Sequence, residues 1–235
     1  MVQEHTVKSF DEELNHLENI LVEMAGMAEV QLADALDALV KRDEEKAAAV
    51  VAGDTRIDAL ERQVDNLVVR LLALRQPLAD DLRAVITALK TASIVERIGD
   101  YAKNVAKRTA VISQKPPPGT IQSIARMGGM VQGMIKDVLD AYVTRDIDKA
   151  NDVLKIDERV DLLYTSLFRE FLTYMMEDPR NITPCTHLLF VAKILERIGD
   201  HATNVAENVH FLVSGELPEE ERPKGQQSIY EVEPS

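Results

Sequence analysis

The sequence is poor in cysteine, aromatic residues, glycine and proline. It has one cysteine, no tryptophan, and aromatic residues make up only 4% of the chain. A lone Cys185 forms no intrachain disulfide, which suits a reducing compartment. The 10 glycines and 9 prolines are clustered, so long stretches have nothing to interrupt a helix. Because Leu, Val, Ala, Glu, Lys and Arg dominate instead, the composition predicts an all-α fold.

Positive charge is also in short supply. Lys and Arg total 27 against 40 Asp and Glu, which gives a net charge of −13. A surface this acidic repels nucleic acid and anionic membranes, and it favours cations or basic patches on other proteins. The sequence has no uninterrupted apolar run of membrane-spanning length and no signal-peptide pattern. We therefore expect a cytoplasmic protein that reaches membranes only through partners.

Apolar residues recur at three- and four-residue steps and predict six long antiparallel helices. The predicted helices cover about 8–42, the segment after 41–46 to 75, 80–113, 121–145, 148–177 and 182–213. The string KPPPGT breaks the pattern most strongly, since three prolines and a glycine do not continue a helix. We predict a first three-helix bundle over 1–114, a Pro-rich linker over 115–120, a second bundle over 121–214 and a flexible polar tail over 215–235.

An internal repeat supports this division. Residues 96–106 read ERIGDYAKNVA and residues 196–206 read ERIGDHATNVA, so nine of eleven positions are identical at an offset of 100. A weaker repeat precedes each block at an offset of 103, where Asp54-x-x-Ile57-Asp58 matches Asp157-x-x-Val160-Asp161. Two signals in the same order indicate a duplicated unit.

Acidic residues at four-residue steps form columns on the predicted helices, because such residues nearly stack on a helix. Helical arithmetic places these columns opposite the apolar core positions of the same helix, which predicts a surface site. The members are Glu96, Asp100 and Asn104 in the first unit, and Glu196, Asp200 and Asn204 in the second.

Three interpretations of the columns remain open: a solvated acidic face, a docking surface for basic patches, or a metal site. Like charges four residues apart destabilise a helix, and a hard cation would be satisfied by carboxylate and amide oxygens. Arg97 and Arg197 point about 100° away and are imperfect partners. Gly99 and Gly199 are costly inside a helix, which indicates close approach of a backbone or a large ligand. The Glu-x-x-His pattern of di-iron oxidases is absent, and His201 is a weak supplementary ligand candidate.

At these motifs the sequence resembles the PhoU family of phosphate-signalling regulators. The likeness covers roughly 8–214 and rests on the two ERIGD blocks, the two Asp-x-x-x-Asp columns, and the strings QPLADDLR and LFREFLTYM. It implies two three-helix bundles related by a pseudo-twofold axis. It also implies multinuclear iron or zinc clusters, or another divalent cation, on the bundle surface. The implied ligands are Asp54, Asp58, Glu96, Asp100, Asp157, Asp161, Glu196 and Asp200, with Asn104 and Asn204 extending the columns. Because Tyr164 and Phe168 stand where Glu61 and Asp65 would recur, the two sites are expected to be unequal.

The resemblance also implies a function. Family members act as cytoplasmic negative regulators of the phosphate regulon and of phosphate uptake. They link the high-affinity phosphate ABC transporter and its ATPase to a sensor histidine kinase, and they are often homodimers. We therefore predict a non-enzymatic adaptor. The alternatives are a metal-binding or metal-storage protein, a metal-dependent phosphoesterase that uses the acidic columns, and a purely structural scaffold.

Overall fold

The computed structural model describes residues 2–114 and 120–216, and these residues confirm the all-α fold. The first unit holds α1 (Val2–Lys41), α2 (Glu44–Gly53), α3 (Thr55–Arg75) and α4 (Ala79–Gln114). The second holds α5 (Ile121–Thr144), α6 (Ile147–Glu177), a 3-10 turn (Pro179–Asn181) and α7 (Ile182–Ser214). Of the predicted linker, residues 115–119 lie outside the described residues, and so do residues 217–235 of the predicted tail.

The second predicted helix differs from expectation, because it is interrupted at Asp54 and forms two consecutive helices. Gly53 precedes the break, and glycine destabilises a helix interior relative to alanine because its backbone loses more conformational freedom. The Asp54 backbone keeps helical angles, and its carbonyl still accepts from the Ile57 amide at 3.0 Å. Its side chain turns inward, where it is only 4% exposed. The break thus places a carboxylate inside the bundle.

The two bundles meet along α4 and α7, with a second contact between α1 and α5. Thr91 accepts a hydrogen bond from Asn208 at 3.4 Å, whereas the Tyr101 ring stacks on the His201 ring with centroids 5.5 Å apart. Position numbers fall on one helix as they rise on the other, so α4 and α7 run antiparallel. Tyr101 and His201 occupy the same place in the two repeats. Their mutual contact therefore lies on the pseudo-twofold axis.

The corner after the first helix of each unit repeats in detail. Asp43 and Asp146 cap the following helices by accepting from the Lys46 and Lys149 amides at 2.9 and 3.0 Å. The Lys46 ammonium then pairs with two aspartates of α1, and Lys149 pairs with two aspartates of α5. This pattern, Asp-x-x-Asp followed by Arg-Asp-x-x-Lys, recurs at an offset of 103. It ties each first helix to the second and gives both units the same frame.

The core is aliphatic and continuous through both units. Its largest fully buried side chains include Phe171, Met24, Ile98 and Met127. Buried apolar surface supplies most of the folding free energy in such bundles. None of the described helices combines the length and the apolar character needed to cross a membrane.

Candidate functional site: two acidic seams

The predicted acidic columns lie in the seams between packed helices rather than on an open face. We call the carboxylates between α3 and α4, together with Asp54, the first acidic seam. Its members are Asp54, Asp58, Glu61, Asp65, Glu96 and Asp100. The carboxylates between α6 and α7 form the second acidic seam. Its members are Asp157, Asp161, Glu196 and Asp200.

The prediction of an open surface opposite the core was wrong for Glu196, whose side chain is 15% exposed. Helices α4 and α7 each pack against several other helices, so they have more than one buried side, whereas the prediction assumed a single core face. Asp54 lies at the α2–α3 break and outside that prediction, and it is 4% exposed. The other predicted carboxylates, with Asn104 and Asn204, are half-buried.

One end of the first seam is neutralised by Lys103. The Lys103 ammonium donates to both Asp54 and Asp100, and thereby joins the α2–α3 break to α4. Asp54 also accepts from the Gln31 amide of α1 at 3.1 Å. The hydrogen bond to Asp100, and after it the hydrogen bond to Asp54, raises the pKa of Lys103. The Lys103 side chain therefore stays charged throughout the physiological pH range.

The other end of the first seam carries an excess of negative charge. Burial first, and then the charges of Asp100, Glu61, Asp58 and Asp54, raises the pKa of Glu96 to about 7. The pKa of Glu61 is raised as well, chiefly by burial and by Asp65. Glu96 is therefore an acid that takes up and releases a proton near neutral pH.

The second seam is neutralised at the opposite end. Lys193 pairs with Glu196 at 2.7 Å, and its ammonium lies 5.2 Å from the centre of the Tyr164 ring of α6. Burial still raises the pKa of Glu196, against the opposing effect of Lys193. The repeat position of Lys103 is Thr203, which donates to the Asp200 carbonyl at 2.7 Å. The repeat position of Gln31 is Met134.

The two motif glycines are buried, and each allows a side chain from the neighbouring helix to approach closely. A β-carbon at Gly99 would lie 3.0 Å from Cδ1 of Ile57. At Gly199 it would lie 2.9 Å from Oδ1 of Asp157. The expected close approach is present, but side chains make it rather than a backbone or a ligand. The glycines thus set the width of the seams.

Comparison with known proteins identifies the family of this chain. A family model described as the PhoU domain matches residues 21–109 and 124–209, once in each unit. The chain belongs to the PhoU family.

Individual members of the PhoU family match almost end to end. A protein of Caulobacter vibrioides (strain NA1000 / CB15N), named phosphate-specific transport system accessory protein PhoU homolog, is 54% identical over 94% of this chain and 96% of its own length. The crystal structure of PhoU from Pseudomonas aeruginosa superposes with a TM-score of 0.86 at 40% identity, covering 88% of this chain and all of that one. The phosphate transport system regulatory protein PhoU from Streptococcus pneumoniae gives a TM-score of 0.83 at 30% identity, over 89% and 99% of the two chains.

The seams as arranged do not fit the metal clusters that the PhoU resemblance implies. Across residues 2–114 and 120–216, no three His, Cys, Asp or Glu side chains converge as a ligand set. A lysine ammonium already contacts the carboxylates of each seam. The alternative of a metal store or metal-dependent phosphoesterase therefore gains no support, and metal binding by the eight carboxylates stays a prediction.

Sequence reasoning missed the residues that neutralise the seams. Lys103 follows Asp100 by three positions and Lys193 precedes Glu196 by three, which is a contact spacing on a helix. That spacing is the available signal, whereas the adjacent Arg97 and Arg197 are exposed. Gln31 lies on a helix remote in sequence and left no local signal. His201 is half-buried and stacks on Tyr101 rather than standing exposed on its helix, and its part as a supplementary ligand stays a prediction.

Proposed function

We propose that this chain is a cytoplasmic accessory protein of phosphate-specific transport that represses phosphate uptake and the phosphate regulon without catalysing a reaction. One observation carries the proposal: 54% identity, over nearly the full length of both chains, to a protein named as a phosphate-specific transport system accessory protein. A match this complete leaves little of either chain to support a different function. The solved structure from Streptococcus pneumoniae, titled a phosphate transport system regulatory protein, has the same fold.

The proposed mode of action is that of an adaptor between the ATPase of the high-affinity phosphate transporter and a sensor histidine kinase. The duplicated unit carries two seams of different charge, since six carboxylates line the first seam and four line the second. Unequal seams suit two unlike partners, because charge complementarity sets which surface docks where. We further propose that the working form is a homodimer.

A test of the adaptor role combines partner recovery with gene expression. The tagged chain is used as bait in phosphate-replete cells, and a phosphate-starvation reporter is followed in a strain that lacks the native gene. We expect the transporter ATPase and a histidine kinase to be recovered, and the reporter to be repressed only when the chain is present. A reporter that stays repressed without the chain, with neither partner recovered, would contradict the proposal.

The role of the first seam is tested by charge reversal. The Glu96→Lys/Asp100→Lys variant should derepress the reporter and lose one partner, provided that its cellular level matches that of the wild type. A matched control is Asp148→Lys/Asp152→Lys, an exposed pair with the same spacing on α6. Equal repression by both variants would remove the first seam from partner binding while leaving the family role in place.

A further inference from the structure

Each acidic seam contains a lysine ammonium group. This group contacts carboxylates that the PhoU resemblance implies as metal ligands. Lys103 is bonded to Asp54, which lies at the α2–α3 break, and to Asp100, which lies on α4. It therefore bridges two helices, as a metal ion shared by both carboxylates would. The Asp54 side chain is 6% exposed and that of Lys103 is 22% exposed, so the pair is largely withdrawn from water.

In the second seam, a lysine at a different position neutralises the carboxylates. Lys193 contacts both carboxylate oxygens of Glu196 at 2.7 Å and faces the Tyr164 ring across the seam. Ser93 stands at the repeat position of Lys193, just as Thr203 stands at that of Lys103. The two lysines therefore occupy different repeat positions, at opposite ends of equivalent seams.

A divalent ion and an ammonium group compete for these carboxylates. Both are positive and repel each other at this distance, and the ammonium already contacts oxygens of Asp54 and Asp100, or of Glu196, so metal binding is opposed while the lysine is in place. The lysine is covalently attached and pays no cost of association, which gives it an advantage over a free ion at low concentration. We propose that Lys103 and Lys193 are built-in counter-cations that replace metal in the two seams, so that divalent ions bind there only after the lysine charge is removed. The proposal concerns charge balance alone and does not depend on which partners the chain binds.

The test compares the full chain with Lys103→Met, using Mn²⁺ as the probe because it accepts all-oxygen ligands. Mn²⁺ binding is measured by titration calorimetry, and thermal unfolding is followed in EDTA and in Mn²⁺. The matched control is Lys155→Met, which breaks an exposed lysine–aspartate pair on α6, outside both seams. Lys193→Met repeats the test in the second seam.

We expect the wild type and Lys155→Met to show no saturable Mn²⁺ binding and the same Tm in EDTA and in Mn²⁺. Lys103→Met should lose about 5 °C in EDTA, recover most of the loss in Mn²⁺, and bind one ion per chain. Adding Asp100→Asn to Lys103→Met should abolish Mn²⁺ binding and restore part of the Tm without metal. Lys193→Met should show the same pattern with a smaller loss, because Lys193 is 41% exposed.

Two results would overturn the proposal. One is stoichiometric Mn²⁺ binding by the wild type with an affinity within about threefold of that of Lys103→Met, which would show that the lysine does not exclude metal. The other is a Lys103→Met protein that binds no Mn²⁺. If Lys103→Met does not fold in EDTA, recovery of the fold in Mn²⁺ supports the proposal, and failure to recover contradicts it.

Discussion

The two acidic seams share a backbone frame and differ in how their charge is balanced. In the first seam Asp54 is buried and held by Gln31 and Lys103, whereas the Glu96 end has a surplus of carboxylates. In the second seam Lys193 neutralises Glu196, and Met134 and Thr203 stand at the positions of Gln31 and Lys103. A nine-of-eleven repeat on α4 and α7 therefore does not make the sites equivalent. The residues around each motif determine how the charge of its carboxylates is balanced.

The largest difference should appear on removal of the first aspartate of each seam. Asp54→Ala leaves Gln31 and Lys103 facing a buried gap, so we expect it to lower the free energy of unfolding by about 3 kcal/mol. Asp157→Ala removes a carboxylate that is half-buried rather than buried, and should cost about 1 kcal/mol. Urea denaturation measures both. Equal losses would show that the burial of Asp54 has no energetic consequence.

The motif glycines should respond differently to the same substitution. A methyl group at Gly99 meets Ile57, which is 1% exposed and packed in the core, so Gly99→Ala should cost about 1–2 kcal/mol. At Gly199 the methyl group meets the carboxylate end of the half-buried Asp157 side chain rather than a residue of the core. The gain in helix propensity of about 1 kcal/mol should then leave Gly199→Ala close to neutral. Thermal unfolding of the two variants decides, and a larger loss at Gly199 would contradict this account.

The pH dependence of stability should also separate the seams. The pKa of Glu96 is 4.5 when unperturbed and about 7 in the fold, so the folded state binds the extra proton and loses stability as pH rises between these values. Glu96→Gln should remove that loss. After allowance for solvent screening, we expect a gain of about 1 kcal/mol at pH 8 and none at pH 4.

The matched variant is Glu196→Gln, since the pKa of Glu196 is raised in the same direction. Its gain at pH 8 should be smaller, because the substitution also gives up the ion pair with Lys193. Urea unfolding at pH 4, 6 and 8 measures both variants. A stability profile of Glu96→Gln that runs parallel to the wild type would rule out titration of Glu96 in this range.

The smallest effect tests where the two units should agree. Lys46→Ala and Lys149→Ala each remove the partly exposed ion pairs that tie the first helix of a unit to the second. Ion pairs this accessible to water contribute little, so both losses in Tm should be small and equal. A clear difference between them would show that the frames of the two units are not equivalent either.

The helices and their breaks could be predicted from the sequence, because apolar periodicity and proline-rich or charged breaks are local signals. The interruption at Asp54 could not, and neither could the contacts of Asp54 with Gln31 and Lys103, since these residues lie on other helices remote in sequence. Burial of the seams was missed for a related reason. A helix such as α4 is covered on several sides by the rest of the molecule, and its own sequence does not record that.

The turn after the first helix of each unit, which contains Lys46 or Lys149, also repeats in the sequence and could have been predicted. Its matching residues are spread over about sixteen positions, at an offset of 103 rather than 100. Lys103 and Lys193, in contrast, offered no repeat to find, because they occupy different positions in the two units. An internal repeat shows the residues that the two units share, and it gives no signal for the residues that differ between them.

The stack of Tyr101 on His201 has a consequence for how such differences arise. In a symmetric dimer of single bundles, the residue on the axis faces its own copy, so one codon change alters both sides of the contact at once. Two bundles in one chain are released from that constraint, and an aromatic pair of unlike rings becomes accessible by a single change. The same release applies to every position of the seams. With both bundles in one chain, the two related seams are not bound to carry the same charge, and here they do not.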